Sequence, residues 1–296
     1  MVKTEFSIKD LENLSNVKAH TIRIWEKRYN LLAPDRTDTN IRKYDLDSLK
    51  KLLNITYLYK TGHKISKLAE MSQKDIEVLI KADIKNDTGS YVVEIFKATM
   101  LEFDAQKFDD TLENLKKKKN FSSIFSEIFL PLLGNTGILW LTGTIDPSHE
   151  HFISEKIKHA LIHETSSLKK SVTNTNSNTY VLFLPTGEMH EISLLYANYE
   201  LIKNGCSTLY LGPNISLDSL KHVQKQKSNL VFVSYFTVQP ESDQQETYVH
   251  SFQEILGLKN ELWILGKRHG QQLESNGVVK TFESVADFKV HLKQHD

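Results

Sequence analysis

Cysteine is nearly absent: Cys206 is the one thiol in 296 residues. That excludes an intramolecular disulfide and any cysteine zinc cluster, and it points to a reducing compartment with Cys206 as a small core filler. Long apolar runs are missing too. No stretch of about 18 apolar residues reads as a membrane-crossing helix. The opening residues Met1 to Phe6 lack the apolar core of a signal peptide. The expectation is a cytoplasmic chain with no membrane partner. No phosphate-binding glycine loop, serine–histidine–aspartate set or zinc-ligand spacing occurs either, which argues against an enzyme.

Net charge of either sign is lacking, because 37 Lys and Arg balance 37 Asp and Glu. The balance is uneven along the chain. Residues 1–75 hold 15 basic against 10 acidic side chains, and the remainder holds 22 against 27. A basic amino-terminal unit on an acidic body fits a polyanion partner at one end only.

What is present falls into three units. In 1–75, Ser7 precedes a short helix with apolar Ile8, Leu11 and Leu14; Asn16-Val17 breaks it, and a second helix covers 18–29. Leu31-Leu-Ala-Pro34 is expected to stop that second helix, since proline cannot continue it. Residues 35–44 are polar and basic, and a longer helix starts after Asp45. The second unit, 76–165, is helical throughout, with apolar residues at three- and four-residue spacing, which suggests a four-helix bundle. Residues 166–179, rich in Ser, Thr and Asn, read as a linker. The third unit, 180–296, alternates apolar runs at 180–184, 208–211, 230–235, 262–265 and 278–281 with helical patterns at 191–203, 217–225, 244–256, 270–274 and 284–293. That alternation argues a flavodoxin-like, doubly wound parallel sheet. The fold class expected is therefore multidomain, α and α/β.

Two short helices, a tight turn and a basic loop fit a winged helix-turn-helix. The second helix presents Thr21, Arg23, Lys27 and Arg28, with Ile22 and Trp25 free to pack inward. Arg36, Arg42 and Lys43 crowd the following loop. A basic helix merely exposed to solvent satisfies the spacing equally well. The residues themselves say more. Ser7-Ile-Lys-Asp-Leu11, Thr21-Ile-Arg-Ile-Trp-Glu-Lys-Arg-Tyr29, Leu31-Leu-Ala-Pro34, Arg36-Thr37 and Ile41-Arg-Lys-Tyr44 resemble the MerR-type transcriptional regulators over about 70 residues. The resemblance implies binding to double-stranded operator DNA as a dimer or larger, with Arg23 and its neighbours in the major groove and Arg42 and Tyr44 in the wing.

In the third unit, the apolar run Tyr180-Val-Leu-Phe-Leu184 is followed by Pro185-Thr-Gly-Glu-Met-His190. A histidine two residues past an acid, at the carboxy end of a buried strand, stands where open α/β sheets hold ligands. The acid can orient the imidazole toward a metal; a loop or helix-capping histidine is the plainer reading. Glu188-Met-His190, then Ser234-Tyr-Phe236, 44 positions on from His190, and Gly266, a further 32 on, resemble the cobalamin-binding fingerprint of methionine synthase-like domains. That resemblance implies His190 as the lower ligand to cobalt. It also implies a slot for the displaced base, kept open by small residues. Ser193 and Lys267 stand where the fingerprint has glycine.

In the second unit, Trp140 is followed after nine residues by Glu150-His151. This resembles the light-sensing, adenosylcobalamin-binding MerR regulators, the CarH and LitR group, in which these residues cap the upper face of the corrin. Leu141 stands where several members carry a histidine, with His149 or His151 as substitutes. Together the resemblances imply a self-associating repressor, dimer or tetramer, controlled by adenosylcobalamin and light. Two rivals are a cobalamin-independent regulator switched by a partner protein and a methyl-carrying subunit, which would need no DNA-reading helix.

Overall fold

The computed structural model describes residues 5–83, 90–168, 178–266 and 278–294. Most of the expected linker, Lys267 and the helical pattern at 270–274 lie outside the described residues. Contacts divide the chain into two compact units, Met1–Lys156 and Ile157–Asp296.

The first unit opens with α1 (Ile8–Ser15) and α2 (Ala19–Tyr29). Ser7 and Asp10 form a reciprocal capping box at the start of α1, and Asn16 ends it in the left-handed conformation. No side chain at Lys18 caps α2; the Glu12 carboxylate does so from α1, accepting from Ala19 N–H at 3.2 Å. Helix α2 ends at Tyr29, as expected, but the residue that turns the chain is Asn30, at φ 50°, four residues before Pro34. An asparagine tolerates that region because its short polar side chain bonds locally. The loop that follows is a two-stranded wing, β1 (Asp35–Arg36) antiparallel to β2 (Arg42–Lys43). Asp45 caps α3 (Leu46–Lys60), and α4 (Ile65–Glu70) and α5 (Gln73–Asp83) follow. The expected boundary at 75/76 falls inside α5. Helix α3 packs on both α5 and the following helix α6 (Ser90–Glu102), which joins the reading head to the bundle.

The bundle comprises α6 (Ser90–Glu102), α7 (Ala105–Lys116), the α8–α9 rod and α10 (Pro147–Leu168). Phe96, Phe108 and Phe129 fill its centre, with ring centroids 4.9 and 5.4 Å apart. The sequence suggests one helix over 121–140. The structure has α8 (Phe121–Ile124), a π-helical turn at Phe125–Phe129 and α9 (Leu130–Leu141). Pro131 explains the interruption: it has no N–H to offer the preceding turn, and Leu130 N–H reaches back five residues to Phe125 O. This rod, Phe121–Leu141, is long and apolar enough to cross a membrane. Yet Ile124, Phe125, Ile128, Phe129, Leu132 and Leu139 are buried in the bundle, as in a core helix. Asn13 of α1 donates to Thr144 Oγ1 at 2.8 Å, tying the reading head to the turn between α9 and α10.

The second unit is a five-stranded parallel sheet in the order β4-β3-β5-β6-β7, from β3 (Thr179–Pro185), β4 (Ser207–Ile215), β5 (Leu230–Tyr235), β6 (Glu261–Leu265) and β7 (Val279–Phe282). This is the doubly wound, flavodoxin-like order, and strand direction reverses its sequence progression between β3 and β5. Helices α11 (Ile192–Lys203) and α14 (Val285–Gln294) cover one face, burying Leu194, Ala197, Leu201, Phe288 and Leu292 against Leu182, Val233 and Leu265. Helices α12 (Leu217–Gln226) and α13 (Gln245–Leu256) cover the other, around Phe183, Phe232 and Phe252. Cys206 is partly buried at the edge of the first cluster. Strand β4 runs four residues past its apolar pattern, through Gly212-Pro-Asn-Ile215, with its register to β3 shifting at Gly212.

Candidate functional site

The basic face of the first unit is built on α2. Ile22 and Trp25 are buried, which turns Arg23, Lys27 and Arg28 outward; Thr21 is half-buried. The wing is fastened to this helix through Glu26. Its carboxylate accepts from Arg42 Nε at 3.0 Å and from the Tyr44 hydroxyl. Tyr44 is 1% exposed, and burial and the Glu26 charge push its phenol well above the usual range. Where the sequence suggests a DNA contact, the Tyr44 side chain lies buried beneath the wing and braces it through Glu26. Arg42 shares that bracing role, while Arg36, bonded to Asn40, and Lys43, paired with Glu5, remain on the surface. No sequence signal marks Glu26 as the centre of this arrangement, because its partners are 16 and 18 residues away.

The residues singled out on the bundle lie around the connection from α9 to α10. Trp140, in the last turn of α9, is 50% exposed beside exposed Ile138 and Leu141. Glu150, in the first turn of α10, accepts from Ser154, and exposed His151 lies 3.6 Å from Glu150. His149 is buried and stacked on Phe103 at 4.7 Å, accepting from Asp146 N–H. It is a core residue, not a substitute metal ligand.

In the second unit, the loop after β3 is organised by Glu188, whose side chain is wholly buried. Oε1 accepts from the N–H of Met189 and His190 and from His190 Nδ1, at 2.9, 3.0 and 2.6 Å. Oε2 accepts from the N–H of Val238 and Gln239, at 2.6 and 2.9 Å, and from Thr237 at 3.3 Å. Burial alone would raise this carboxyl; the N–H groups of Gln239, His190 and Val238, with the His190 ring, outweigh it and bring it down to about 2. An ionised Glu188 must receive a proton at His190 Nδ1. The neutral imidazole then keeps its lone pair on Nε2, the atom a metal would take. The imidazole side chain is 64% exposed. The tail of β4 supports the same loop: Asn214 Oδ1 accepts from Gly187 N–H at 2.9 Å and Asn214 N–H donates to Glu188 O. Sequence reasoning missed this support because Gly-Pro-Asn reads as a turn.

Ser234 lies in β5 opposite Phe183 of β3, at the switch point, and its fully buried Oγ has no hydrogen-bond partner among the described residues. Gly266 follows β6 at φ 120°, and a Cβ there would stand 2.5 Å from Phe236 O; only glycine fits. Ser193, in the first turn of α11, is hydrogen-bonded to the Tyr235 phenol, and burial pushes that phenol's pKa up. Glu188, His190 and Ser234 thus converge on the carboxy ends of β3 and β5, while Ser193 and Gly266 flank Tyr235.

Comparison with known proteins assigns two stretches. Residues 6–75 match the MerR HTH family regulatory protein family, and residues 92–163 match the B12 binding domain family. The second match contains Trp140, Glu150 and His151. The chain is 25% identical to the HTH-type transcriptional repressor CarH of Myxococcus xanthus over 227 residues, 74% of this chain and 75% of that protein. It is 20% identical to the HTH-type transcriptional repressor CarA of the same organism over 215 residues, 72% and 70% of the two chains. Among solved structures, the Methanosarcina barkeri monomethylamine corrinoid protein matches with a TM-score of 0.53 at 14% identity, over 69% of this chain and 96% of that one, a likeness of fold alone.

Proposed function

We propose that this chain, which joins a MerR-type helix-turn-helix domain to a B12-binding domain, is a repressor whose self-association and grip on operator DNA are controlled by adenosylcobalamin and light. It is a regulator and not an enzyme, and it works in the cytoplasm. The observation that carries the reading is the Glu188–His190 pair. A buried carboxylate fixes the imidazole tautomer with Nε2 free, at the switch point of a doubly wound sheet.

The residues present fit the cobalt-facing part of a corrinoid. His190 supplies a nitrogen donor, and the unpartnered Ser234 hydroxyl is a buried polar group awaiting a ligand atom. When bound, adenosylcobalamin would supply a light-labile cobalt–carbon bond. Control requires only that the cofactor bind one assembly more tightly than the other. Self-association puts several copies of Arg23, Lys27 and Arg28 on repeated operator sites, and linked binding gains affinity without new contacts.

An absorbance spectrum in the dark and after illumination tests this, with gel filtration at each stage. Wild type should retain adenosylcobalamin and change oligomeric state on illumination. His190→Ala should lose most of the bound cofactor. A second reading, a regulator of the same architecture that binds no cobalamin and answers to a partner protein, is favoured by the Ser193–Tyr235 contact. Dark-reconstituted protein emerging from gel filtration without corrin absorbance would decide for it.

A further inference from the structure

His190 and the nucleotide base of a cobalamin are both aromatic nitrogen donors, so they compete for one face of cobalt. A base displaced by His190 stays tethered to the corrin by its nucleotide arm and needs a berth near the His190 loop. Parallel sheets offer one beyond the strand ends, beside the switch point. On the α11 face of this chain that space is taken. Tyr235, the last residue of β5, points to the α11 face with Val231 and Val233, by the two-residue alternation of a strand. Its phenol is hydrogen-bonded to Ser193 on α11. Its ring edge lies against Gly266 beyond β6, with Cε1 3.3 Å from where a Cβ would be. The ring therefore spans from the first turn of α11 to the end of β6, partly buried against the core cluster beneath.

We propose that Tyr235, held by Ser193, is a specificity-determining residue that closes this berth and biases the chain toward corrinoids lacking a nucleotide base. The inference rests on the corrinoid reading above. A tethered base enters only by breaking the Ser193–Tyr235 bond and expelling the ring, an obstacle that acts against one ligand and not the other. Displacing the base from cobalt costs adenosylcobalamin alone, but equally in wild type and variant, so the change in the affinity ratio between them reports the berth.

Adenosylcobalamin and adenosylcobinamide share the corrin and the upper ligand and differ in the nucleotide that carries the base. Dissociation constants of both, measured by dark absorbance titration of the full chain, test the proposal. Wild type should favour adenosylcobinamide. Tyr235→Ala should tighten adenosylcobalamin about tenfold and leave adenosylcobinamide within about twofold. Ser193→Ala keeps the ring and the helix but frees the phenol, and should move the ratio in the same direction by less. This milder variant carries the test if thermal melting shows Tyr235→Ala to be unfolded. An affinity ratio unchanged by every folded variant, or a wild-type preference for adenosylcobalamin, overturns the proposal and leaves the corrinoid reading standing. Failure of wild type and variants to retain either corrinoid overturns that reading, and this proposal with it.

Discussion

Glu26 in the reading helix and Glu188 beyond β3 each hold a loop in place, but they draw on different partners. Glu26 accepts from two side chains, Arg42 and Tyr44, which carry the wing. Glu188 accepts from five backbone N–H groups and one side chain, His190. A brace made of side chains is written in the residue types at both ends and can be dismantled from either. A brace made of backbone donors is written at one end only, since any residue but proline supplies an N–H. The first loop is positioned by named side chains at both ends, which the fold brings together from 16 and 18 residues apart. The second is positioned by where the fold brings residues 237–239.

The sharpest way to break this comparison is Glu188→Ala. It leaves the N–H groups of Val238 and Gln239 without their acceptor and frees His190, and should cost about 3 kcal/mol or more of the carboxy-terminal unit's stability in urea unfolding. A cost below about 1 kcal/mol would mean that the loop holds itself. The same carboxylate sets a pH window. Its pKa is depressed from 4.5 to about 2 in the folded chain. Such a group contributes stability in full above the unfolded value and loses it as pH falls through the folded value. Wild type should therefore lose this contribution between pH 4.5 and about 2, and Glu188→Gln should show a flatter profile across that window.

Next in size is Glu26→Ala, which strands the buried Tyr44 hydroxyl and releases Arg42. We expect about 2 kcal/mol lost from the amino-terminal unit, with weaker DNA binding as the wing loosens. Tyr44→Phe removes donor and leaves Glu26 with Arg42, so it should cost less; an equal cost would shift the bracing role from the carboxylate to the phenol. Arg23→Ala should leave the unfolding midpoint unchanged but lower operator affinity about tenfold, with a shallower salt dependence if the guanidinium meets a phosphate. Unchanged affinity at low and high salt would remove Arg23 from the interface. The smallest stability effect belongs to Ser234→Ala. Deleting a buried hydroxyl that has no partner should be neutral or slightly stabilising, within about 1 kcal/mol. A larger loss would show that the hydroxyl is already satisfied in the folded chain.

The elements of the fold were largely legible because local rules set them. Capping at Ser7 and Asp45, the three- and four-residue spacing of the bundle and the apolar runs of β3, β5 and β6 each depend on neighbours in the chain. The misses have different causes. The π-turn is a local signal passed over, Pro131 inside an apolar helical pattern, while the β4 tail through Asn214 arises where a turn signal is overridden by pairing with the distant β3. At the candidate site, the resemblance singled out His190, Ser234 and Gly266, which the fold places at the ends of β3, β5 and β6, whereas the bracing role of Tyr44 was not legible. A tyrosine ending a basic loop looks like a DNA contact until burial beneath the wing is known.

Residue order alone determined which side chains stand as candidates: the cations of α2, the imidazole after β3, the indole ending α9. Only the folded chain decided what each is free to do, because hydrogen bonds to groups tens of residues away set protonation, orientation and access. It made Tyr44 a brace, fixed the imidazole of His190 through Glu188, and laid Tyr235 between Ser193 and Gly266.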